Sequence, residues 1–333
     1  MHEIFSRHYI QMRHIAVGGA AENSLAYLGA HLALSKVRRE IENIVCVSGG
    51  CFLAILCSLQ LSMEDLRVLK PEINALLLEF KRIMDVPMYI KAIRVFFLMG
   101  AYDFRTRIQP LVSVLLFTAL RLKGYNKESM TISEWCTFTG IQIHILSTSM
   151  SDCNTFVFNS ANTPDVQLLQ AISASMCIQL LFKPYEIDGI YYTDGGLSNN
   201  FPVGFFDVVH GEANPETFGL HIYNSPRPIN VNAVLPARGF RGVKIWLKLF
   251  YHTLLKQVTF SPTANFNLAN RNFVIVEALD QSYGQMASLL HQLVCEHLGL
   301  TADAEDVNAI WSFFSEPMRE VEAKSIDDLE NSL

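Results

Sequence analysis

Residues 44–54 read Ile-Val-Cys-Val-Ser-Gly-Gly-Cys-Phe-Leu-Ala, and this run limits the fold more than any other stretch. β-Branched residues lead into a serine flanked by small residues, and an apolar, helix-forming segment follows. That order prescribes a strand, a sharp turn and a helix. Ser48 then stands on the turn, where a strained backbone presents its hydroxyl above a sheet edge, the geometry of a nucleophile elbow. Cys46, Gly49 and Gly50 around it are all small, as they must be where strand and helix pack closely and a larger side chain would clash. Two other readings share the run. Residues 44–61 carry no charge and approach the length of a bilayer span, but Ser48-Gly49-Gly50 interrupts them and no basic cluster flanks them. A plain buried strand–helix corner also fits.

A second motif lies far downstream, in Tyr192-Thr193-Asp194-Gly195-Gly196. Serine is a poor nucleophile until a base takes its proton, and Asp194 offers a carboxylate for that purpose. Alone, Asp-Gly is a common turn dipeptide. A Ser–His–Asp triad is the rival arrangement, since the chain holds 10 histidines. None lies in a recognisable site motif, and His144 and His221 fall in alternating strand patterns.

Taken together, the elbow, the stretch Ala171-Ile172-Ser173-Ala174-Ser175-Met176, and Asp194-Gly195-Gly196 followed by Asn199-Asn200-Phe201-Pro202 resemble the patatin-like phospholipase family. Its hallmark is a G-x-S-x-G serine paired with the aspartate of a D-G-G or D-G-A motif. The resemblance runs in order from about Ile15 to Val203. It implies a Ser48–Asp194 dyad without histidine, Asp194 acting as base. It also implies an oxyanion hole of backbone amides from the loop after the first strand, here Gly18, Gly19 and Ala20. The chain departs from the family pattern there: the basic residue is missing, Glu22 and Asn23 occupy its neighbourhood, and Ser24 stands at the final glycine. Cys46 replaces the first glycine of the elbow. Loss of one oxyanion donor costs roughly two to three orders of magnitude in rate, so these changes bear on activity more than on fold.

Strand-like runs at 14–17, 43–47, 141–148, 155–158, 190–192, 218–223 and 273–276 alternate with helical ones at 25–37, 51–61, 63–79, 104–122, 166–175 and 285–298. Such alternation predicts an α/β three-layer sandwich with a mostly parallel central sheet, patatin-like in its resemblance. Residues 1–12 read as an N-terminal extension and 13–333 as one domain, with a recognisable core at 15–205 and an extension of it at 206–333. Half of the 333 residues are apolar and the net charge is −6, which argues against a binder of nucleic-acid phosphates. The seven cysteines show no paired metal-ligand spacing. They read as reduced thiols of a cytosolic protein, and the N-terminus lacks the apolar core of a signal peptide. No metal or cofactor is expected.

Arg241, Lys244, Lys248, His252 and Lys256 recur at helical spacing, with Trp246 and Phe250 on other faces. This is either an interfacial anchor at a membrane or an ordinary surface helix. Residues 95–101, Val-Phe-Phe-Leu-Met-Gly-Ala, read as core, or as the wall of an acyl pocket or a lid. The function implied is a lipid acyl hydrolase acting on glycerophospholipids at a membrane surface, with a protein activator left open. The alternatives are a catalytically weakened lipid- or partner-binding relative, and an acyltransferase.

Overall fold

The computed structural model describes residues 12–37, 41–207, 212–223, 271–278 and 282–315. Among them the chain begins with β1 (His14–Val17), a 3-10 helix (Ala21–Ala26), α1 (Tyr27–Leu34), β2 (Asn43–Val47) and α2 (Gly50–Leu59). Helices α3 (Met63–Val68), α4 (Lys70–Asp85), α5 (Met88–Leu98), α6 (Phe104–Arg107), α7 (Gln109–Leu122) and α8 (Ile132–Thr139) follow. Then come β3 (Gln142–Ser149), β4 (Thr155–Phe158), α9 (Leu168–Ser175), β5 (Tyr185–Ile187), β6 (Ile190–Asp194) and α10 (Gly196–Asn199). β7 (Thr217–Tyr223), β8 (Asn272–Glu277), α11 (Tyr283–His297) and α12 (Ala304–Ser315) close the series.

The strands form one sheet in the order β5-β6-β3-β2-β1-β7-β8, with β4 pairing β3 off this path. β1 pairs β2 and β7 in parallel, as β2 does β3 and β7 does β8, whereas β4 and β6 run antiparallel to β3 and β5 to β6. The molecule is therefore a mixed, mostly parallel sheet flanked by helices, the α/β class read from the sequence. Side chains alternate along each strand. Ile15, Val17, Ile44 and Cys46 join the large core beneath α1, α2 and α11, while Ala16, Val45 and Val47 pack on the other face against Phe201 and Val203. With both faces covered, β1 and β2 are apolar beyond their first residues, His14 and Asn43.

Two expected helices are divided. Residues 63–79 split between α3 and α4, where Pro71 lies in the first turn of α4. Residues 104–122 split between α6 and α7, with Pro110 in the first turn of α7. Proline suits a first turn, where its missing N–H has no intrahelical partner, and so restarts a helix rather than continuing it. In the stretch 95–101, Leu98 and Met99 are exposed, but Gly100 and Ala101 are buried. The basic stripe at 241–256 lies outside the described residues, as do residues 1–11.

β3 sets the site. Its Leu146 stands opposite Val47 at the end of β2, and the next residue, Ser147, stands opposite Asp194 at the end of β6. Consecutive residues of one strand thus hold the residue before Ser48 and Asp194 itself.

Candidate active site

β2 ends at Val47, and Ser48 takes φ 51° before α2 begins at Gly50. A positive φ is strained for a residue with a side chain and persists only where the surroundings fix it. Here the Ser48 N–H donates to Ser175 Oγ at 2.8 Å, Ser175 Oγ donates to the Leu146 carbonyl at 2.6 Å, and the Ser48 carbonyl accepts from Cys51 N at 3.0 Å. Gly50 passes so close to the loop after β1 that a Cβ on it would lie 2.6 Å from the Gly18 carbonyl. Cys46, in place of the family's glycine, directs its thiol toward Cys51 within the core.

Asp194 arrives from the other side of β3. Its N–H donates to the Cys177 carbonyl at 2.8 Å, and its carbonyl accepts from Thr148 Oγ1 at 2.9 Å. Gly195 must be glycine, because a Cβ there would lie 2.2 Å from the Leu146 carbonyl. The Gly196 N–H donates to Asp194 Oδ1 at 2.7 Å, leaving Oδ2 to accept from Ser48 Oγ at 2.6 Å. Ser48 and Asp194 are 7% and 9% exposed, so the bond is largely shielded from water. Burial pushes the Asp194 carboxyl up to about 6, opposed by the hydrogen bonds from Ser48 and Gly196. Desolvation of this kind keeps a carboxylate basic enough to take a proton near neutral pH.

Among the described residues no hydrogen bond joins a histidine to either group. His221 lies beside Gly18, buried and stacked on Phe201 at 5.1 Å between ring centroids, and burial lowers it to about 4. His144 is likewise lowered to about 4, by burial and then by His14.

The loop after β1 differs from expectation. The Gly18 N–H donates to the Leu220 carbonyl at 2.8 Å, extending the β1–β7 ladder, and the Gly19 N–H donates to the Asn200 carbonyl at 3.0 Å. Two of the three amides expected to serve an oxyanion are therefore engaged elsewhere. Ala20 is buried at the start of the 3-10 helix, and its amide makes no backbone hydrogen bond among the described residues. Two positioning residues escaped the sequence reading: Ser175, which holds the elbow amide, and Asn200, which ties Gly19 to the segment after Asp194. Ser175 stood in the quoted Ser-Ala-Ser run, and Asn200 in the Asn-Asn-Phe-Pro run, but neither run says which polar group it meets.

Among the described residues no cluster of three or more His, Cys, Asp or Glu side chains is arranged for a metal ion, and no helix is long and apolar enough to cross a membrane. Comparison with known proteins places these features in context. A probable lipid hydrolase, 463L, of Invertebrate iridescent virus 6 is 30% identical over 99 residues, which cover 30% of this chain and 34% of that protein. An uncharacterized protein of Acanthamoeba polyphaga mimivirus is 27% identical over 107 residues, 32% of this chain and 35% of its own. The match thus spans about a third of the length of each relative. The crystal structure of VipD from Legionella pneumophila superimposes with a TM-score of 0.49 at 11% identity, covering 87% of this chain and 67% of VipD. The patatin-like phospholipase family model matches residues 15–207, more than half of the chain and all of the elements around Ser48 and Asp194. The chain belongs to the patatin-like phospholipase family.

Proposed function

We propose that this protein is a lipid acyl hydrolase that cleaves fatty-acyl esters of glycerophospholipids with a Ser48–Asp194 dyad. One observation carries the proposal: the 2.6 Å hydrogen bond from Ser48 Oγ to a buried carboxylate whose proton affinity burial has raised. In this reading Ser48 Oγ attacks the ester carbonyl while Asp194 Oδ2 takes the hydroxyl proton. The carbonyl oxygen becomes an oxyanion, and the Ala20 amide is the donor of the β1 loop left to meet it. Collapse of the tetrahedral adduct breaks the ester C–O bond, and Asp194 returns its proton to the departing alcohol. Water, deprotonated by the same carboxylate, then attacks the acyl-serine and frees the fatty acid and Ser48. The family and the viral relative named a probable lipid hydrolase support a lipid ester as substrate, met at a membrane surface from the cytosolic side.

A second reading rests on the loop. With the Gly18 and Gly19 amides engaged by Leu220 and Asn200, transition-state stabilisation is weaker than a three-amide hole would give, which favours slow turnover or lipid binding without it. Acyl transfer to an alcohol differs from hydrolysis only in the acceptor. Fluorophosphonate labelling, together with fatty-acid release from phosphatidylcholine vesicles, tests the proposal. The native chain is expected to label and to release fatty acid, and Ser48→Ala to do neither. Absence of both from a folded native chain favours the binding reading.

A further inference from the structure

Cys46 and Cys51 bracket Ser48 in sequence and meet in space, with their sulfurs 3.3 Å apart. Cys46 is the penultimate residue of β2 and Cys51 the second of α2, so the contact closes the strand–turn–helix corner on which Ser48 stands. Both side chains are buried. Cys51 Sγ also approaches Ser175 Oγ at 3.8 Å, the hydroxyl that fixes the Ser48 amide. Among the described residues no other two cysteine sulfurs make such a contact. Glycine at 46, as in the family pattern, would leave Cys51 without this partner.

We propose that Cys46 and Cys51 are a modification site: a peroxide oxidises them to a reversible disulfide that disables Ser48. One thiol, as its thiolate, attacks a peroxide oxygen; the O–O bond breaks, giving a sulfenic acid and water. The second sulfur attacks the sulfenic sulfur, its proton leaving with the displaced hydroxide as a second water. Two thiols and one hydrogen peroxide thus yield one disulfide and two waters. Burial raises the Cys46 thiol, with the hydrogen bond and charge of Cys51 adding to it. Its thiolate is therefore a minor species that reacts slowly, and the shielded site admits a small neutral peroxide and not a bulky disulfide.

A disulfide is about 2.05 Å long, so the sulfurs must approach by more than 1 Å. The four residues between them have little slack. Ser48 is already at φ 51°, and Gly50 is packed against the Gly18 carbonyl. Close-packed interiors transmit such a displacement rather than absorb it, and Ser48, the donor of the 2.6 Å bond to Asp194, stands between the two cysteines.

The consequence for activity rests on the hydrolase reading, and the experiment separates the two. The native full-length chain and Cys51→Ala are exposed to hydrogen peroxide at a level that oxidises the exposed Cys153. Peptides are mapped by mass spectrometry without reduction, and hydrolysis of a soluble short-chain ester is followed. The native chain is expected to acquire the 46–51 cross-link and lose about 100-fold in kcat, as a 1 Å misplacement costs. Dithiothreitol restores it, and Cys51→Ala keeps its activity throughout. Reduced Cys46 and Cys51 beside oxidised Cys153 would overturn the site. A cross-linked chain of full activity, or equal reversible loss in Cys51→Ala, would overturn the switch. A native chain without esterase activity before oxidation removes the hydrolase reading and the switch with it, while the mass map still decides the disulfide.

Discussion

At Ser48 and Asp194 one hydrogen bond joins a strained serine to a carboxylate that is costly to ionise. Since burial raises Asp194 to about 6, a base at this position is protonated and inactive in acid. The acid limb of kcat/KM for a soluble ester is expected to show an apparent pKa near 6; a limb near 4 would mean Asp194 is not the group being titrated. Ser48→Ala and Asp194→Asn should each abolish nearly all esterase activity, with the double variant little worse than either, as for residues acting as one unit. Full activity in Asp194→Asn would return the search to the histidines. The same shift has a consequence for stability. A carboxyl raised from 3.8 to about 6 on folding adds stability that is fully present below 3.8 and lost as pH rises through 6. The ionised form therefore weighs on the fold by about 3 kcal/mol at neutral pH, at 1.36 kcal/mol per unit. Asp194→Asn should accordingly melt higher than the native protein at pH 7.5, and thermal scans at decreasing pH should show the gap closing toward pH 4.

At the scale of elements, α9 delivers the one side chain that locks the elbow. Ser175 donates to the Leu146 carbonyl and accepts from the Ser48 amide, entirely out of solvent. Ser175→Ala leaves both groups unpaired, at about 1–3 kcal/mol for each. We expect a lower urea midpoint together with a fall in kcat; a loss of stability with unchanged kcat would show that α9 supports the sheet and not the turn. Ser175 also marks where sequence ceases to be legible. The strands at 14–17 and 43–47 were readable because each is a short apolar run with β-branched residues, and Ser48 and Asp194 because glycines follow both. β5 was missed, being three residues long. α8 was missed although Thr131 and Glu134 form a reciprocal capping box at its start, a signal the sequence does carry. The acceptors of the Gly18 and Gly19 amides were not readable at all. Leu220 and Asn200 lie about 200 residues away in the chain, and only the finished sheet brings them to the loop.

At the scale of the molecule, the strand beyond the family match is tied to the segment that follows the Asp194 motif. Arg271, just before β8, donates through Nη1 to Asp207 Oδ1 at 2.8 Å and through Nη2 to Oδ2 at 2.5 Å. A further bond runs from Arg271 Nη1 to the Val203 carbonyl at 3.2 Å. The pair is largely buried, with side chains 7% and 17% exposed. It fixes the end of residues 201–207, whose Phe201 and Val203 cover the sheet face beneath Val45 and Val47. Burial alone would raise the Asp207 carboxyl, but Arg271 and the Asn214 amide hold it below the ordinary value. Its contribution is therefore present at neutral pH and lost as pH falls through the lowered value. Removing one partner of a buried pair strands the other charge, at about 3–5 kcal/mol, whereas replacing both with apolar side chains is often neutral. Arg271→Met and Asp207→Leu should each lower the urea midpoint strongly at pH 7, and the double variant should recover much of the loss. If the two losses instead add, the segments are held by their apolar contacts, and the ion pair contributes little to joining β8 to the part of the sheet that carries Ser48 and Asp194.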